Sequence, residues 1–450
     1  MPKTAGGKIG AARAGTRRPS WLLGPALVAG VAYLDPGNVA SNMTAGARFG
    51  YLLVWVVVAA NLAAWLVQYL SAKLGVVTGR SLPQLLGARM RNPWGRRAYW
   101  LQAEIVAMAT DIAEVIGGAV ALNLLFALPL VWGGMITGVV STLLLVYQSR
   151  RGARAFEIVV IGMLLVIAVG FCAGVFLAPP EPAAALAGLL PHFEGTDSVL
   201  LAASILGATI MPHAIYAHSA LARDRFHPGM DARRSGAAAS TVGREAAHGR
   251  PSISSVVTDA ARAGGPAVHR LLRATRWDVT IAMAIAGTVN LAMLLLAAAA
   301  LAGIPGTDTL EGAYTALRQG LGPVIATLFA LGLLASGLAS TAVGAYAGSE
   351  IMAGLLRPGL PLLIRRVVTL VPAIVLLAIG ADPTGALVLS QVVLSFGIPF
   401  ALVPLVWLTA RREVLGAFRN RRATTIVAAL VAAGLVALNI ALIGLVVAGG

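Results

Sequence analysis

The chain has 450 residues, of which 58% are apolar and only 12% charged, and its mean hydropathy is +0.83. No soluble fold buries that much apolar surface, and the same composition excludes a disordered chain. A disulfide scaffold is excluded because Cys172 is the only cysteine. The sequence therefore predicts a polytopic helical membrane protein.

Eleven apolar runs are long enough to cross a bilayer, which takes about 20 helical residues. Their approximate bounds are 20–46, 52–77, 99–127, 129–148, 156–178, 198–221, 278–303, 314–344, 366–380, 384–409 and 424–448. A cleaved signal peptide is an alternative for the first run, but that run is too long for the apolar part of a signal peptide. We expect an all-α integral membrane protein with eleven transmembrane helices.

The formal net charge of +16 is distributed unevenly between the links. Of the 34 Lys and Arg residues, all but Arg48 and Arg318 fall in the N-terminal tail or in alternate links. The links counted on this basic side include one from Lys73 to Arg97 and one from Arg223 to Arg276. The opposite links carry acidic residues, namely Glu181, Glu194, Asp197, Asp308, Glu311 and Asp382.

Basic links mark the cytoplasmic side, so we predict a cytoplasmic N-terminus and an extracytoplasmic C-terminus. The excess of positive charge is then explained by the orientation of the chain in the lipid bilayer, and it does not indicate a nucleic-acid partner. The excess of Arg over Lys is typical of a bacterial genome rich in G and C, which favours the inner, or plasma, membrane.

The predicted organisation has four parts. A cytoplasmic tail (1–19) precedes a first group of five spans (20–178), a second group of five spans (198–409) and an eleventh span (424–448). Within the second group, residues 222–277 form a cytoplasmic linker that we predict to be disordered, because it is polar and rich in Ala, Arg, Gly and Ser.

Two spans are interrupted at their middle. Span 1 contains Leu34-Asp35-Pro36-Gly37-Asn38, and span 6 contains Gly207-Ala208-Thr209-Ile210-Met211-Pro212-His213. The breaks lie five spans apart, and because five is odd, the two groups insert in opposite orientations. Paired interruptions of this kind are typical of transporters with inverted repeats, whose substrate site lies between the breaks.

Each break frees a backbone carbonyl, because proline has no N–H to donate to the residue four positions earlier. Pro36 frees the carbonyl of Ala32, and Pro212 frees that of Ala208. A carbonyl freed inside hydrocarbon has to face protein, water or a cation.

The breaks also supply Asp35, Asn38 and Met211. A carboxylate within the membrane is costly and usually functional. Asn38 has the alternative role of capping the second half-helix, and Met211 that of filling space. One carboxylate, neutral oxygens and a thioether favour a divalent transition metal, since calcium and magnesium prefer all-oxygen ligands. Met211 is then the selectivity filter for manganese, iron or cadmium.

Further segments match a family pattern, namely Gly24-Pro25, Asp35-Pro36-Gly37-Asn38, Ala109-Thr110-Asp111-Ile112-Ala113-Glu114, Met211-Pro212-His213, His218-Ser219 and Arg276-Trp277-Asp278. Over about residues 20–448, apart from the linker, the chain resembles the NRAMP family of proton-coupled metal-ion transporters. The resemblance implies a LeuT-type 5+5 inverted-repeat fold, alternating access, and import of Mn²⁺ or Fe²⁺ with protons. The function implied by the resemblance is transport and not enzymatic catalysis. The metal is then the substrate, and no resident cofactor is expected.

The metal ligands implied by the resemblance are Asp35, Asn38, Met211 and the carbonyls of Ala32 and Ala208. Gln391 in span 10 matches a further polar contributor. The chain departs from the pattern at Ala214, where the family often has Asn, and in its long linker. Neither departure involves an implied ligand.

Span 3 supplies candidates for a proton route. Asp111 and Glu114 are three residues apart, so they lie on one helix face, and burial lets one of them hold a proton. Glu104 lies nearer the cytoplasmic end, where Arg365 and Arg366 begin span 9, and His213 is a candidate relay. The alternatives are that the acids only pair with arginines and that His213 only bonds a carbonyl.

We hypothesise that Asp35 is protonated in the empty outward state and that the arriving cation expels this proton toward Glu114 or Asp111. Three other functions stay open. They are a sodium-coupled amino-acid carrier of the same fold, a gated cation channel and an intramembrane enzyme. The sequence contains no G-x-S-x-G motif, and a mid-membrane Asp beside Met fits an amino-acid pocket poorly.

Overall fold

The computed structural model describes residues 25–151, 153–227, 265–356 and 362–448. The predicted tail, 1–19, and residues 228–264 of the predicted linker lie outside this part of the chain.

The first repeat and the sixth span are helical almost throughout. They contain α1 (Pro25–Val31), a 3₁₀ turn (Ala32–Leu34), α2 (Pro36–Phe49), α3 (Val54–Thr78), α4 (Leu82–Arg89), α5 (Pro93–Phe126), α6 (Leu130–Arg151), α7 (Ala153–Leu177), α8 (Pro182–Ala187), α9 (Gly195–Thr209) and α10 (Pro212–Phe226). The rest contains α11 (Pro266–Ala300), α12 (Leu310–Gly320), α13 (Pro323–Leu355), α14 (Leu362–Ala378), α15 (Pro383–Ala410), α16 (Arg412–Leu415), a second 3₁₀ turn (Gly416–Phe418) and α17 (Arg422–Val447).

Within the described residues, seven helical segments are long and apolar enough to cross a membrane. They are α3, α5, the α9–α10 pair, α11, α13, α15 and α17. Four shorter apolar segments are Pro25–Leu34, Leu130–Leu144, Ile161–Leu177 and Val368–Ala378. Each of these segments overlaps one predicted span, while the number of eleven crossings stays a prediction.

The predicted eighth span, 314–344, is wrong in its first part. Residues 314–320 belong to the separate helix α12, which Thr309 caps by accepting a hydrogen bond from the Gly312 N–H. Gly322 has a φ of 93°, which favours glycine, and Pro323 then begins α13. The eighth apolar helix therefore starts nine residues later than predicted.

Many of the basic residues that we counted in links lie inside helices, among them Lys73, Arg223 and Arg276. Lys73 is buried within α3, Arg223 is buried near the end of α10, and Arg276 lies on α11. Arg223 and Arg276 were counted in a link because α10 and α11 extend beyond their apolar runs, 198–221 and 278–303. Lys73 lies within the run 52–77 and was assigned to the link by its charge alone.

The helices pack in reciprocal pairs. The second half of span 1, α2, packs on span 7 (α11), and the second half of span 6, α10, packs on span 2 (α3). Span 3 (α5) contacts span 10 (α15), and span 8 (α13) contacts span 5 (α7). Exchanging spans 1–5 with spans 6–10 leaves these pairings unchanged, as an inverted repeat requires.

A buried ion pair joins α10 to α13. Arg223, with only 2% of its side chain exposed, donates from both terminal nitrogens to the Glu350 carboxylate at 3.0 Å and from Nε to Asp224 Oδ1 at 2.7 Å. Tyr346 donates to the other Asp224 oxygen at 2.6 Å. This cluster connects the end of the broken span 6 to the span 8 helix.

We expect Arg223→Met to destabilise the protein, because it leaves Glu350 without its bidentate partner. Breaking a buried ion pair costs about 3–5 kcal/mol, and the partial exposure of Glu350 favours the lower end. The melting temperature in detergent should fall clearly below that of the wild type. Arg97→Met, at an exposed position, is the control, and an equal fall in both variants would contradict a structural role for the cluster.

Candidate functional site

Both breaks are formed in the same way. Pro36 is the first residue of α2 and Pro212 the first of α10, so each proline occupies the helix position where its missing N–H costs least. The residue before each proline is the N-cap, which is Asp35 in one break and Met211 in the other. The chain thus places a carboxylate and a thioether at equivalent points of two half-helices.

Asp35 is fully buried and has both carboxylate oxygens engaged. Oδ1 accepts a hydrogen bond from the Asn38 backbone N–H at 2.8 Å, which caps α2. Oδ2 accepts from Gln391 Nε2 at 2.9 Å. The Gln391 side-chain oxygen Oε1 is also buried and has no hydrogen-bond partner among the described residues. A buried amide oxygen that has no hydrogen-bond donor and lies next to a carboxylate is suited to binding a cation.

Asn38 lies in the first turn of α2, and hydrogen bonds hold its side-chain amide in a fixed orientation. Its Nδ2 donates to Asn290 Oδ1 at 2.7 Å and to the Tyr33 carbonyl, while its Oδ1 accepts from Asn42 Nδ2 at 2.7 Å. The alternative that Asn38 caps the second half-helix is wrong, because Asp35 does so. The amide oxygen keeps a second lone pair, as carbonyl oxygens have two.

Side chains satisfy some of the carbonyls that the first break frees. The Leu34 carbonyl accepts from Ser336 on α13, and Asn38 bonds the Tyr33 carbonyl. Ala32 and Ala208 are both fully buried, and the prolines four residues later supply no N–H to either carbonyl.

Helix α15 contacts both breaks at Gln391. A Cβ on Gly37 would lie 1.8 Å from Gln391 Nε2, and a Cβ on Gly207 would lie 1.9 Å from the Gln391 carbonyl oxygen. Only glycine permits these approaches. The Ser41 and Ser204 hydroxyls, 2.6 Å apart, also join α2 to α9.

The structure therefore gathers Asp35, Asn38 and Gln391 in one hydrogen-bonded group, with the break that carries Ala208 and Met211 alongside it. None of these five residues is exposed to solvent. Elsewhere in the described chain, no three His, Cys, Asp or Glu side chains are grouped so that they could hold a metal ion. Any cation bound here is thus held by one carboxylate and neutral groups.

The predicted proton route is only partly described. Asp111 and Glu114 are buried on α5, and Thr110 on the same helix lies 3.3 Å from His213 Nδ1. This bond brings span 3 against the second half of span 6. Glu104 is half-buried, about two turns before Asp111. Arg365 and Arg366 lie on α14, but their side chains are outside the described part of the structure.

A cavity of about 290 Å³ lies further along α2, on the side predicted to face outward. Thr44 and Arg48 of α2 line it together with Asp197, Asp308 and Asp382. Thr44 is six residues from Asn38, or about 9 Å along the helix. The cavity is therefore an acidic opening on the predicted outward side of the buried group.

Sequence reasoning missed several residues that position the site. They are Asn290 on α11, Ser336 on α13, the Ser41–Ser204 pair and the close contacts of Gly37 and Gly207. Asn290 was detectable as an amide in the middle of the apolar run 278–303. The serine contacts were not, because single serines are common in membrane helices and carry no signal of their partners.

Comparison with known proteins assigns the family. A family model described as natural resistance-associated macrophage protein-like (Nramp) matches residues 26–445. The chain belongs to the Nramp family. Members are transporters, so the prediction of a non-enzymatic function is confirmed.

Similar Nramp-family proteins include the divalent metal cation transporter MntH of Mycobacterium tuberculosis, 57% identical over 99% of this chain and 97% of its own length. The MntH of Bacillus subtilis is 42% identical over 94% of this chain and 91% of its own length. A mutant of the Eremococcus coleocola manganese transporter matches with a TM-score of 0.77 and 30% identity, covering 95% of this chain and 87% of that one.

The fold extends beyond the Nramp family. MhsT, solved in complex with L-phenylalanine, matches at a TM-score of 0.55 with 13% identity, over 96% of this chain and 98% of its own. This likeness concerns the fold alone. The predicted LeuT-type architecture with broken helices 1 and 6 is confirmed.

Gly207→Ala should disrupt the contact between α15 and the second break. The new Cβ meets a backbone oxygen, which cannot rotate away, so α9 and α15 have to separate. We expect lower thermal stability and at least about tenfold weaker Mn²⁺ binding, equivalent to about 1.4 kcal/mol. Isothermal titration of purified protein measures the binding.

The matched control is Gly162→Ala on α7, where a Cβ meets nothing within 4 Å. It should leave binding unchanged. Equal binding by Gly207→Ala and the wild type would show that this contact does not position the site.

Proposed function

We propose that this chain imports Mn²⁺ and Fe²⁺, and also Cd²⁺, across the inner or plasma membrane together with protons, by alternating access. The observation that carries the proposal is the meeting of Asp35 and Gln391 at one helix break, with Met211 at the equivalent point of the other. The names of the similar proteins, divalent metal cation transporters and a manganese transporter, support it. The proposed orientation has the N-terminus in the cytoplasm and the C-terminus outside.

In the proposed mechanism, the cation enters from the acidic cavity at Asp197, Asp308 and Asp382 and loses its water at the breaks. Asp35 supplies the only negative charge, and Asn38, Gln391 and the carbonyls of Ala32 and Ala208 supply neutral oxygens. The ion then keeps a net charge near +1, so it is bound without being trapped. Met211 favours metals that accept sulfur.

The proposed proton route starts at Asp35. A cation adjacent to this carboxylate favours its ionised form, so binding releases the proton that Asp35 holds in the empty outward state. The proton passes to Glu114 or Asp111 on α5, with His213 available as a relay through its contact with Thr110. Glu104, Arg365 and Arg366 continue the proposed route to the cytoplasm.

Metal selectivity tests the proposed role of Met211. In proteoliposomes, wild-type protein should take up Mn²⁺ in preference to Mg²⁺ and Ca²⁺, and faster when the outer medium is mildly acidic than when it is neutral. Met211→Ala should lower the preference about tenfold, which is about 1.4 kcal/mol of differential affinity. The control is Met283→Ala, a buried methionine on α11 that is not one of the proposed ligands.

Unchanged selectivity in Met211→Ala would remove the filter role. Uptake that ignores an imposed pH gradient would remove proton coupling and favour a channel. Uptake that requires sodium and an amino acid would favour the carrier alternative of the same fold.

Proton coupling tests the proposed role of Glu114. Glu114→Gln cannot bind and release a proton, so we expect Mn²⁺ uptake with much less accompanying acidification of the vesicle interior. A pH-sensitive dye inside the vesicles measures the proton flux, and a Mn²⁺-quenched dye measures the metal flux in parallel. Glu181→Gln, at an exposed position before α8, should leave both fluxes unchanged. Full coupling in Glu114→Gln would show that the proton does not pass through this side chain.

A further inference from the structure

Two cavities lie end to end between α15 and α17, away from the helix breaks. The first, of about 560 Å³, is apolar and is lined by Val403, Val406, Trp407, Ala429, Ala432, Ala433, Val436, Ala437 and Ile440. The second, of about 690 Å³, is lined by the link between the helices and their adjoining ends, namely Ala410, Ala417, Arg419, Asn420, Arg421, Arg422, Thr425 and Ile426. Only one helical turn separates them on each helix, between Trp407 and Ala410 and between Ile426 and Ala429. We name them the apolar groove and the basic cavity.

The basic cavity has an excess of unpaired positive charge. Arg419, Arg421 and Arg422 are exposed, and none of them pairs with a carboxylate in the part of the chain that the structure describes. No Asp or Glu lines the cavity. Three unpaired guanidinium groups around one space are suited to an anion such as a phosphate group, which arginine binds with paired hydrogen bonds.

A buried residue fixes the wall of the basic cavity. Asn420, only 7% exposed, donates from Nδ2 to Thr409 Oγ1 at 2.8 Å and from its backbone N–H to the Thr409 carbonyl at 2.9 Å. Its Oδ1 accepts from the buried Lys73 of α3 at 2.9 Å. The link is therefore held firmly against α15, and Lys73 adds a fourth positive charge behind the cavity.

The apolar groove opens toward the membrane. Trp407, Val403 and Ile440 are 43%, 51% and 64% exposed along its edges. The α17 side is made mostly of alanines, whose short side chains leave the space of the groove. The groove therefore has room for a hydrocarbon chain that runs parallel to the two helices.

Trp407 marks the boundary between the two cavities. The Arg411 guanidinium lies 4.1 Å from the centre of its ring, and that of Arg89 lies 5.5 Å away. Tryptophan favours the level of the lipid headgroups, where its ring is apolar and its N–H meets water. The boundary between the headgroup and the acyl chains of a bound lipid would lie at the level of Trp407.

We propose that the two cavities together bind one anionic phospholipid of the cytoplasmic leaflet. Its phosphate lies in the basic cavity on Arg419, Arg421 and Arg422, and one acyl chain lies in the apolar groove. Basic pockets between helices on the cytoplasmic side commonly bind such headgroups. The lack of acidic residues selects against zwitterionic lipids, whose ammonium group finds no partner in the cavity.

Native mass spectrometry of the purified full-length protein tests this site. Phosphatidylglycerol or phosphatidylcholine is added to the detergent solution, and the affinity of each for the protein is measured. Wild-type protein should retain phosphatidylglycerol in preference to phosphatidylcholine. The variant with Arg421→Gln and Arg422→Gln together should bind phosphatidylglycerol at least about tenfold more weakly.

Two further variants separate this site from general lipid contact. Arg91→Gln with Arg97→Gln removes the same charge from exposed arginines that line neither cavity, and it should bind like the wild type. Ala433→Trp fills the groove without changing the charge, and it should also weaken phosphatidylglycerol binding. If the arginine variant fails to fold, Ala433→Trp still tests whether the two cavities bind a phospholipid.

Four outcomes would overturn the proposal. Equal retention of the two lipids, or equal losses in the two arginine pairs, would show ordinary surrounding lipid only. Full displacement of phosphatidylglycerol by inorganic phosphate at similar concentration would show a site for a soluble anion. Unchanged binding in Ala433→Trp would show that no acyl chain occupies the groove.

Discussion

The missing N–H of two prolines at mid-membrane is the constraint on which the rest of the structure depends. In hydrocarbon, a backbone carbonyl without a donor costs several kcal/mol. At the first break, Asn38 donates to the Tyr33 carbonyl and Ser336 of α13 donates to the Leu34 carbonyl, while Gln391 of α15 donates to the Asp35 carboxylate. The contacts of Ser336 and Gln391 each fix a neighbouring helix at the break, so α13 and α15 are both anchored there.

Helix α15 has a special place in this arrangement because it contacts both breaks at one residue. Gly37 and Gly207 allow Gln391 to lie against both half-helices, and its amide donates to the buried carboxylate of Asp35. With the site residues fully buried, an ion reaches them only when contacts around this residue loosen. The same helix ends at the basic cavity, so α15 links the centre of the membrane to its predicted cytoplasmic surface.

The sequence predicted the general architecture well because hydrophobic length and proline position are local signals. The eleven apolar runs, the two breaks and their separation by five spans require no knowledge of tertiary contacts. Helix ends were less predictable. Lys73 and Arg223 are buried inside helices, where each donates hydrogen bonds to a distant partner, the Asn420 amide for the first and the Glu350 carboxylate for the second. The beginning of the eighth span was misplaced because apolar residues continue across the turn at Gly322.

At the candidate site, Asp35, Asn38 and Met211 were predictable from the breaks alone, whereas Gln391 came only from family resemblance. Nothing local distinguishes Gln391 from a glutamine that bonds its own helix. What distinguishes it is the absence of a Cβ at two glycines more than 180 residues away in the chain. The Gln391 amide donates a hydrogen bond to the buried carboxylate of Asp35 without cancelling its negative charge. An arginine or lysine in the place of Gln391 would neutralise Asp35 and repel a cation, so the neutrality of this partner matters as much as its hydrogen bond.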